Sequence, residues 1–259
     1  MTAEESAQVF RLAYVPGVMP AKWVRVFEER RPGVSVELVD CPAADVARRL
    51  RAGLVDAALA RPDVGEVDGL SVIRLYDEVP VAVVPKDHVF TAVDEVAVAD
   101  LAGEQYLLPD DDVLGWTGNP GTVIEHRPET TAAAVELVAA GLGVLVVPMS
   151  LARLHHRRDL TYRPLADGAV ASVGLLWVAA AGDAPTPELV EEFIGVVRGR
   201  RPGSSRGQSE PTPKRSAKEK AAARRASLEA SGKVPPRLAK GGKSSGRSQA
   251  SKGRRRTGR

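Results

Sequence analysis

The chain has 259 residues, 44% of them hydrophobic and 4% aromatic, enough to bury one domain of ordinary size or two small ones. Its formal charge of +3 conceals a split: residues 198–259 carry 20 Lys and Arg against three Glu, a net +17, while residues 1–197 carry 16 basic and 30 acidic side chains, a net −14. The single cysteine, Cys41, excludes an internal disulfide, and the opening MTAEESAQVF has neither the basic nor the apolar region of an export signal. Apolar runs such as 144–148 and 173–181 fall far short of the roughly 20 residues of a membrane-spanning helix. A soluble, cytoplasmic protein is expected. A basic tail on an acidic body is suited to a polyanion or to folding back on its own body.

Residues 10–62 alternate two periodicities. The apolar FRLAYV reads as a strand, and PAKWVRVFEERR as a helix with Trp23, Val24 and Phe27 on one face and Pro20 in its first turn. Pro32-Gly33 stops that helix. VSVELVD alternates Val34, Val36 and Leu38 with Ser35 and Glu37, AADVARRLRAG reads as a short helix closed by Gly53, and VDAALA as a buried strand. This β-α-β-α-β order predicts a parallel sheet covered by helices, with the loops at 16–20 and 60–64 along the edge where open α/β sheets bind ligands.

SVIRLYDEVPVAVV, residues 71–84, holds two more strands. After Pro85 the alternation restarts: a short helix near 98–102, strands at 105–108 and 122–126, then ETTAAAVELVAAGLGVLVVP. There a Thr cap opens a helix, Gly141 ends it, and 143–147 forms a buried strand stopped by Pro148. A helix over 151–155 follows, then the strands LTYRPL and SVGLLWVAA and a last helix from Pro187 to about Val197. The expected organisation is a flexible N-terminus at 1–9, a first lobe from 10–84 plus 165–197, a second lobe from 85–164, and a tail over 198–259. Chain crossings near Val84 and Pro164 form a hinge over a central cleft. In the tail Gly, Ser, Pro, Lys and Arg dominate, so burial cannot offset ordering entropy and disorder is expected.

Three stretches carry a resemblance: Leu50, Gly53 and Asp56 in RLRAGLVDAALARPD; Val84, Pro85 and His88 in VPVAVVPKDHVF; and Gly141, Gly143 and Pro148 in AAAVELVAAGLGVLVVPMSLARL. In this order and spacing, from about Phe10 to Val197, the chain resembles the effector-binding domain of LysR-type transcriptional regulators, a relative of type 2 periplasmic binding proteins. The resemblance implies two Rossmann-like α/β lobes joined by a two-strand hinge, a small effector in the cleft, and dimers; with no catalytic constellation in the sequence, no enzymatic activity and no cofactor are expected, and mixed dimers with full-length regulators are the alternative to dimers of this chain. Family members carry a winged helix-turn-helix ahead of this domain; nine residues precede the first strand here. Many relatives also place a Ser or Thr in the loop after the first strand to hold an effector carboxylate. This chain has Gly17-Val18-Met19-Pro20, which leaves the helix N–H groups and dipole but no hydroxyl.

The candidate effector site is therefore Gly17, Val18 and Met19, Arg61 and Pro62 after VDAALA, and Pro128, Thr130 and Thr131 at the second-lobe helix start. Arg61 suits a carboxylate held bidentately, or is a solvated loop arginine. Thr130 and Thr131 serve as hydroxyl donors, as helix caps, or as both. An anionic metabolite is the expected effector. A ligand-free partner of intact LysR-type regulators is the alternative, motivated by the missing hydroxyl.

Other groups are set aside on spacing. Asp110-Asp111-Asp112 has no histidine spaced to complete a metal site, and His155-His156 beside Arg157 and Arg158 has no third ligand, so a surface role is expected. Gly141-Leu142-Gly143 follows a helix and leads into a strand, the reverse of a pyrophosphate loop. Ser150 lacks the glycines of a nucleophile elbow, and Cys41 has no placed histidine. In the tail, Lys214, Arg215, Lys218, Lys220, Arg224, Arg225, Arg254, Arg255 and Arg256 can neutralise phosphates without reading bases. Without aromatic side chains the tail has no stacking groups.

Overall fold

The computed structural model describes residues 8–200, apart from 117, 119, 181 and 183. The tail residues assigned above to phosphate binding, and the disorder expected of residues 201–259, lie outside the described residues.

The first sheet has the order β2-β1-β3-β10-β4, from β1 (Gln8–Tyr14), β2 (Val34–Asp40), β3 (Ala57–Ala60), β4 (Leu70–Glu78) and β10 (Ala171–Val178). β1 pairs in parallel with β2 and β3, whereas β10 runs antiparallel to β3 and β4. The parallel sheet expected from sequence thus holds for its first three strands, and the strand returning from the second lobe enters reversed. Residues 8 and 9, expected to be flexible, are strand residues paired with Val34 and Ser35.

Helices α1 (Ala21–Arg30), α2 (Val46–Arg51) and α5 (Glu188–Val197) complete this lobe. Phe10 of β1, Phe27 of α1 and Phe193 of α5 form an aromatic trio with ring centroids 5.1–5.6 Å apart. All three are fully buried. Packed rings of this kind add favourable edge and stacking contacts to the burial of their area.

The second lobe is built on β5 (Pro80–Pro85), flanked antiparallel by β8 (Leu145–Pro148) and β9 (Leu160–Pro164). A small parallel pair, β6 (Gln105–Tyr106) with β7 (Thr122–Val123), is hydrogen-bonded to Val144 just ahead of β8. Val81 and Val83 face one core with α3 (Thr131–Ala139), while Ala82 and Val84 face another containing Phe90, Leu101 and Tyr106. A strand buried on both faces reads as a continuous apolar run, and β5 does. That property corrects the expected lobe boundaries: β5 is the middle strand of the second sheet, so the first crossing falls at Val79 rather than Val84. Leu165 packs in the second lobe, placing the return crossing between Leu165 and Ala171.

The residues that carried the resemblance are architectural. Leu50 is buried, Gly53 ends α2 with φ +63°, and Asp56 accepts bonds from the Arg11 backbone N–H at 2.7 Å and guanidinium at 2.8 Å, joining β3 to β1. His88 Nδ1 accepts from the Phe90 N–H, and its ring meets Phe90 edge-on at 4.6 Å. At Gly143 a Cβ would lie 2.4 Å from the Gln105 carbonyl oxygen, so only glycine lets β6 approach.

Candidate functional site

The strands of the first sheet end on a cavity of about 1220 Å³ shared by both lobes, slightly larger than most small-molecule sites. From the first lobe it takes Tyr14 at the end of β1, residues 16–19, Trp23 in the first turn of α1, Asp40 at the end of β2, residues 42–44, Arg61 and Val64 after β3, and Tyr76 of β4. From the second it takes residues 110–113, residues 130–132 at the start of α3, and residues 150, 151 and 153–155 of and just after α4 (Met149–Leu154). This is the strand-end position at which open α/β sheets hold ligands.

Of the eight residues expected to bind effector, Gly17, Val18, Met19, Arg61, Thr130 and Thr131 line the cavity; Pro62 and Pro128 do not. Both prolines are buried, and the Pro128 carbonyl accepts the Asp110 N–H at 2.9 Å, so it shapes the neighbouring loop instead.

Arg61 differs from a solvated loop arginine. Its side chain is 1% exposed and its guanidinium donates to Glu78 Oε2 at 2.8 Å, to the Pro16 carbonyl at 3.1 Å and to Ser150 Oγ at 3.1 Å. One buried cation thus joins the loop after β1, the end of β4 at the lobe crossing, and α4 of the second lobe. Only Nε is left without a partner among the described residues. Burying a guanidinium is tolerable only with a paired charge and satisfied hydrogens, which Glu78 largely supplies. Tyr76 lies near this pair: burial, and then the Glu78 charge, push its phenol above the usual range.

The Ser150 hydroxyl lies beside the loop after β1, where residues 17–19 carry none. Gly17 has φ +86°, and a Cβ there would lie 2.6 Å from Ser150 Oγ, so glycine is required both by the backbone and by the contact between lobes. Spacing alone, which set Ser150 aside as a nucleophile, gives no sign of this role, because it depends on how the lobes meet.

The start of α3 is also occupied from within. Thr130 Oγ1 caps the helix by accepting the Ala133 N–H at 3.1 Å. Asp111 Oδ1 accepts both the Thr131 N–H at 2.7 Å and its hydroxyl at 2.8 Å. A resident carboxylate therefore sits where an effector carboxylate was expected, stabilised by the same helix dipole and N–H groups. Asp110 pairs with Arg127 at 3.1 Å, and Asp112 accepts the Leu114 and Gly115 N–H groups at 3.2 and 2.9 Å. The acidic run thus shapes the cavity wall; among the described residues no group of three His, Cys, Asp or Glu is placed to hold a metal ion. His155, expected at the surface, lines the cavity beside Arg153.

Tyr14, Trp23, Asp40, Tyr76, Asp111, Ser150 and Arg153 were not among the expected site residues. Asp40 was within reach, since it ends a strand at the same edge as residues 16–20. Tyr14 and Trp23 share that edge, Tyr76 comes from β4 of the same sheet, and only Asp111, Ser150 and Arg153 are brought in by lobe packing.

Comparison with known proteins agrees with this architecture. A family profile, LysR substrate binding domain, matches residues 3–201. A probable hydrogen peroxide-inducible genes activator of Mycobacterium avium is 32% identical over 153 residues, covering 54% of this chain and 49% of the relative. The Hca operon transcriptional activator HcaR of Escherichia coli (strain K12) is 28% identical over 196 residues, covering 72% of this chain and 63% of the relative. The chain thus spans about half to two thirds of these relatives. Among solved structures, the BenM effector binding domain with its effector benzoate superposes with a TM-score of 0.61 at 18% identity, covering 79% of this chain and 96% of that one. The oxidised form of OxyR gives 0.60 at 20% identity, covering 76% and 97%. These likenesses show a two-lobe effector-binding fold of the type 2 periplasmic-binding-protein kind, and the chain belongs to the LysR substrate-binding domain family, whose members act in transcription regulation.

Proposed function

We propose that this chain senses a small molecule bound between its lobes and converts that binding into a change of lobe geometry read by a regulatory partner. The observation that carries the proposal is the cavity itself: both lobes line it, and the Arg61–Glu78–Ser150 junction at its floor couples them. A ligand that touches both lips favours one lobe arrangement by its differential affinity.

Two of the groups expected to hold an anionic effector are engaged within the chain, Arg61 by Glu78 and Thr131 by Asp111, which weighs toward a different ligand charge. Thiol-based sensing of peroxide, suggested by the mycobacterial relative's name, finds little support: Cys41 is the chain's single cysteine. It is buried, and burial pushes its thiol up, away from the reactive thiolate. A mixed dimer with full-length regulators is the alternative; the loop after β1 carries no hydroxyl of its own, although Ser150 Oγ lies beside it.

Thermal-shift screening of the full chain with amines, amino acids and carboxylic acids tests the proposal. At least one compound is expected to raise Tm, and Ala132→Trp, which fills the cavity at the first turn of α3, is expected to abolish that shift. A shift unaffected by Ala132→Trp puts the ligand elsewhere; no shift from any compound removes the sensing reading.

For the tail we propose non-specific nucleic-acid affinity through phosphate neutralisation by its 20 Lys and Arg. Replacing Arg254, Arg255 and Arg256 with Gln should lower the salt dependence of DNA binding in gel shifts. An unchanged salt slope assigns the binding to other residues.

A further inference from the structure

Resting on the sensing reading above, the charge and shape of the cavity go further than its existence. Four carboxylates line it, Asp40, Asp110, Asp111 and Asp112, against two guanidiniums, Arg61 and Arg153. Arg61 is neutralised by Glu78 and Asp110 by Arg127. Among the described residues this leaves Asp40, Asp111 and Asp112 without an ion-pair cation, opposed by Arg153 alone. These carboxylates come from both lips, Asp40 from the first lobe and the other two from the second.

Two further observations, independent of the acidic residues, point to a ligand. Aromatic side chains make up only 4% of the chain, yet Tyr14, Trp23 and Tyr76 all line this one cavity. Aromatic faces beside carboxylates attract organic cations, whose charge the ring quadrupole stabilises. Arg61 lines the cavity with a side chain 1% exposed, and its Nε is a buried donor without a partner among the described residues. Such a donor is costly unless an acceptor reaches it.

We propose that the effector is an amphiphilic organic cation: an aromatic or apolar body against Tyr14, Trp23 and Tyr76, a protonated amine between Asp40 and Asp111–Asp112, and a neutral oxygen acceptor for Arg61 Nε. Aromatic amino acid amides belong to this class. A free carboxylate meets three unneutralised carboxylates and an α3 N-terminus already filled by Asp111. A cation bridging the two acidic lips also relieves their mutual repulsion, which favours lobe closure.

Calorimetric titration of the full chain with L-tryptophanamide, tryptamine and indole-3-acetate separates the features at constant ring. L-Tryptophanamide is expected to bind at least about tenfold more tightly than indole-3-acetate, a gap of about 1.4 kcal/mol. Tryptamine, which lacks the acceptor, should fall between them. Asp40→Asn and Asp112→Asn should each shrink the amide-over-acid preference severalfold; Asp40→Asn, which breaks no ion pair among the described residues, should leave Tm unchanged in the absence of ligand, whereas Asp112→Asn loses an acceptor for the Leu114 or Gly115 N–H and should lower Tm slightly. If indole-3-acetate binds most tightly, the cation inference is overturned while the sensing reading stands. If tryptamine equals the amide, the role given to Arg61 Nε is overturned. Binding of none of the three overturns the ligand class for this cavity, and the broader screen with Ala132→Trp then decides whether the cavity binds anything.

Discussion

The first lobe meets the cleft with Tyr14, Trp23, Tyr76 and a neutralised Arg61; the second meets it with Asp110, Asp111, Asp112 and a helix start already capped. Both lips arise from the same local arrangement, loops leaving strand ends toward helix N-termini, yet they offer a ligand different chemistry. In the first lobe the cleft guanidinium is locked into structure by Glu78, and what remains is aromatic surface with one carboxylate, Asp40. In the second, structural bonds leave carboxylates facing the cavity. A scaffold can therefore be shared across a family while the chemistry at its edge is set by which side chains their neighbours have engaged.

The sharpest way to break this comparison is to unlock the first lip. Glu78→Ala leaves the Arg61 guanidinium buried without its carboxylate and should cost about 3–5 kcal/mol in denaturant unfolding. Converting the pair to Arg61→Met with Glu78→Leu should recover most of that loss. A loss within about 1 kcal/mol for Glu78→Ala would mean that the pair is solvated, and the two lips would then be electrostatically alike.

Gly17→Ala probes the contact between lips. Positive φ and the approach of Ser150 together should cost about 1–3 kcal/mol. Ser150→Gly in the same chain should return part of it, because it removes the clash and leaves the strain; strict additivity in the double-mutant cycle would deny the contact. On the second lip, Thr130→Ala removes the α3 cap and should cost about 1 kcal/mol. No measurable change in unfolding midpoint would show that Asp111 alone suffices to hold the helix start.

The smallest effect is a pH dependence in the first lobe away from either lip. The Asp63 carboxyl is held below its ordinary value by hydrogen bonds from Arg74. The folded state therefore binds that proton less readily than the unfolded chain. Its stabilising contribution is present above the unfolded value and is lost as pH falls through the lower folded one, below about pH 4. Asp63→Asn should make Tm fall less steeply with acidification there; an identical acid limb would assign the dependence to other groups.

Much of the fold is legible in the sequence because periodicity and chain breakers are local. Pro20, Pro32-Gly33, Gly53, Gly141 and Pro148 punctuate elements where the structure starts or ends them. The lobe boundary is not local. The run PVAVV announces a strand buried on both faces but not which sheet buries it, so periodicity points to Val84 for a crossing that lies at Val79. The site divides the same way. Residues 17–19 and 61 follow from the strand-end rule, whereas the engagement of Arg61 by Glu78 and Ser150, and of Thr131 by Asp111, spans 17, 89 and 20 residues of sequence. Such pairings leave no periodic signal, and they decide the charge a ligand meets.

A small molecule is proposed to be held by both lips at once. Amide hydrogen exchange on the full chain with and without L-tryptophanamide tests it most directly. Added protection is predicted in residues 14–23 of the first lobe and in residues 110–132 of the second, at the same ligand concentration. Protection confined to one lobe, or absent from both, would contradict it.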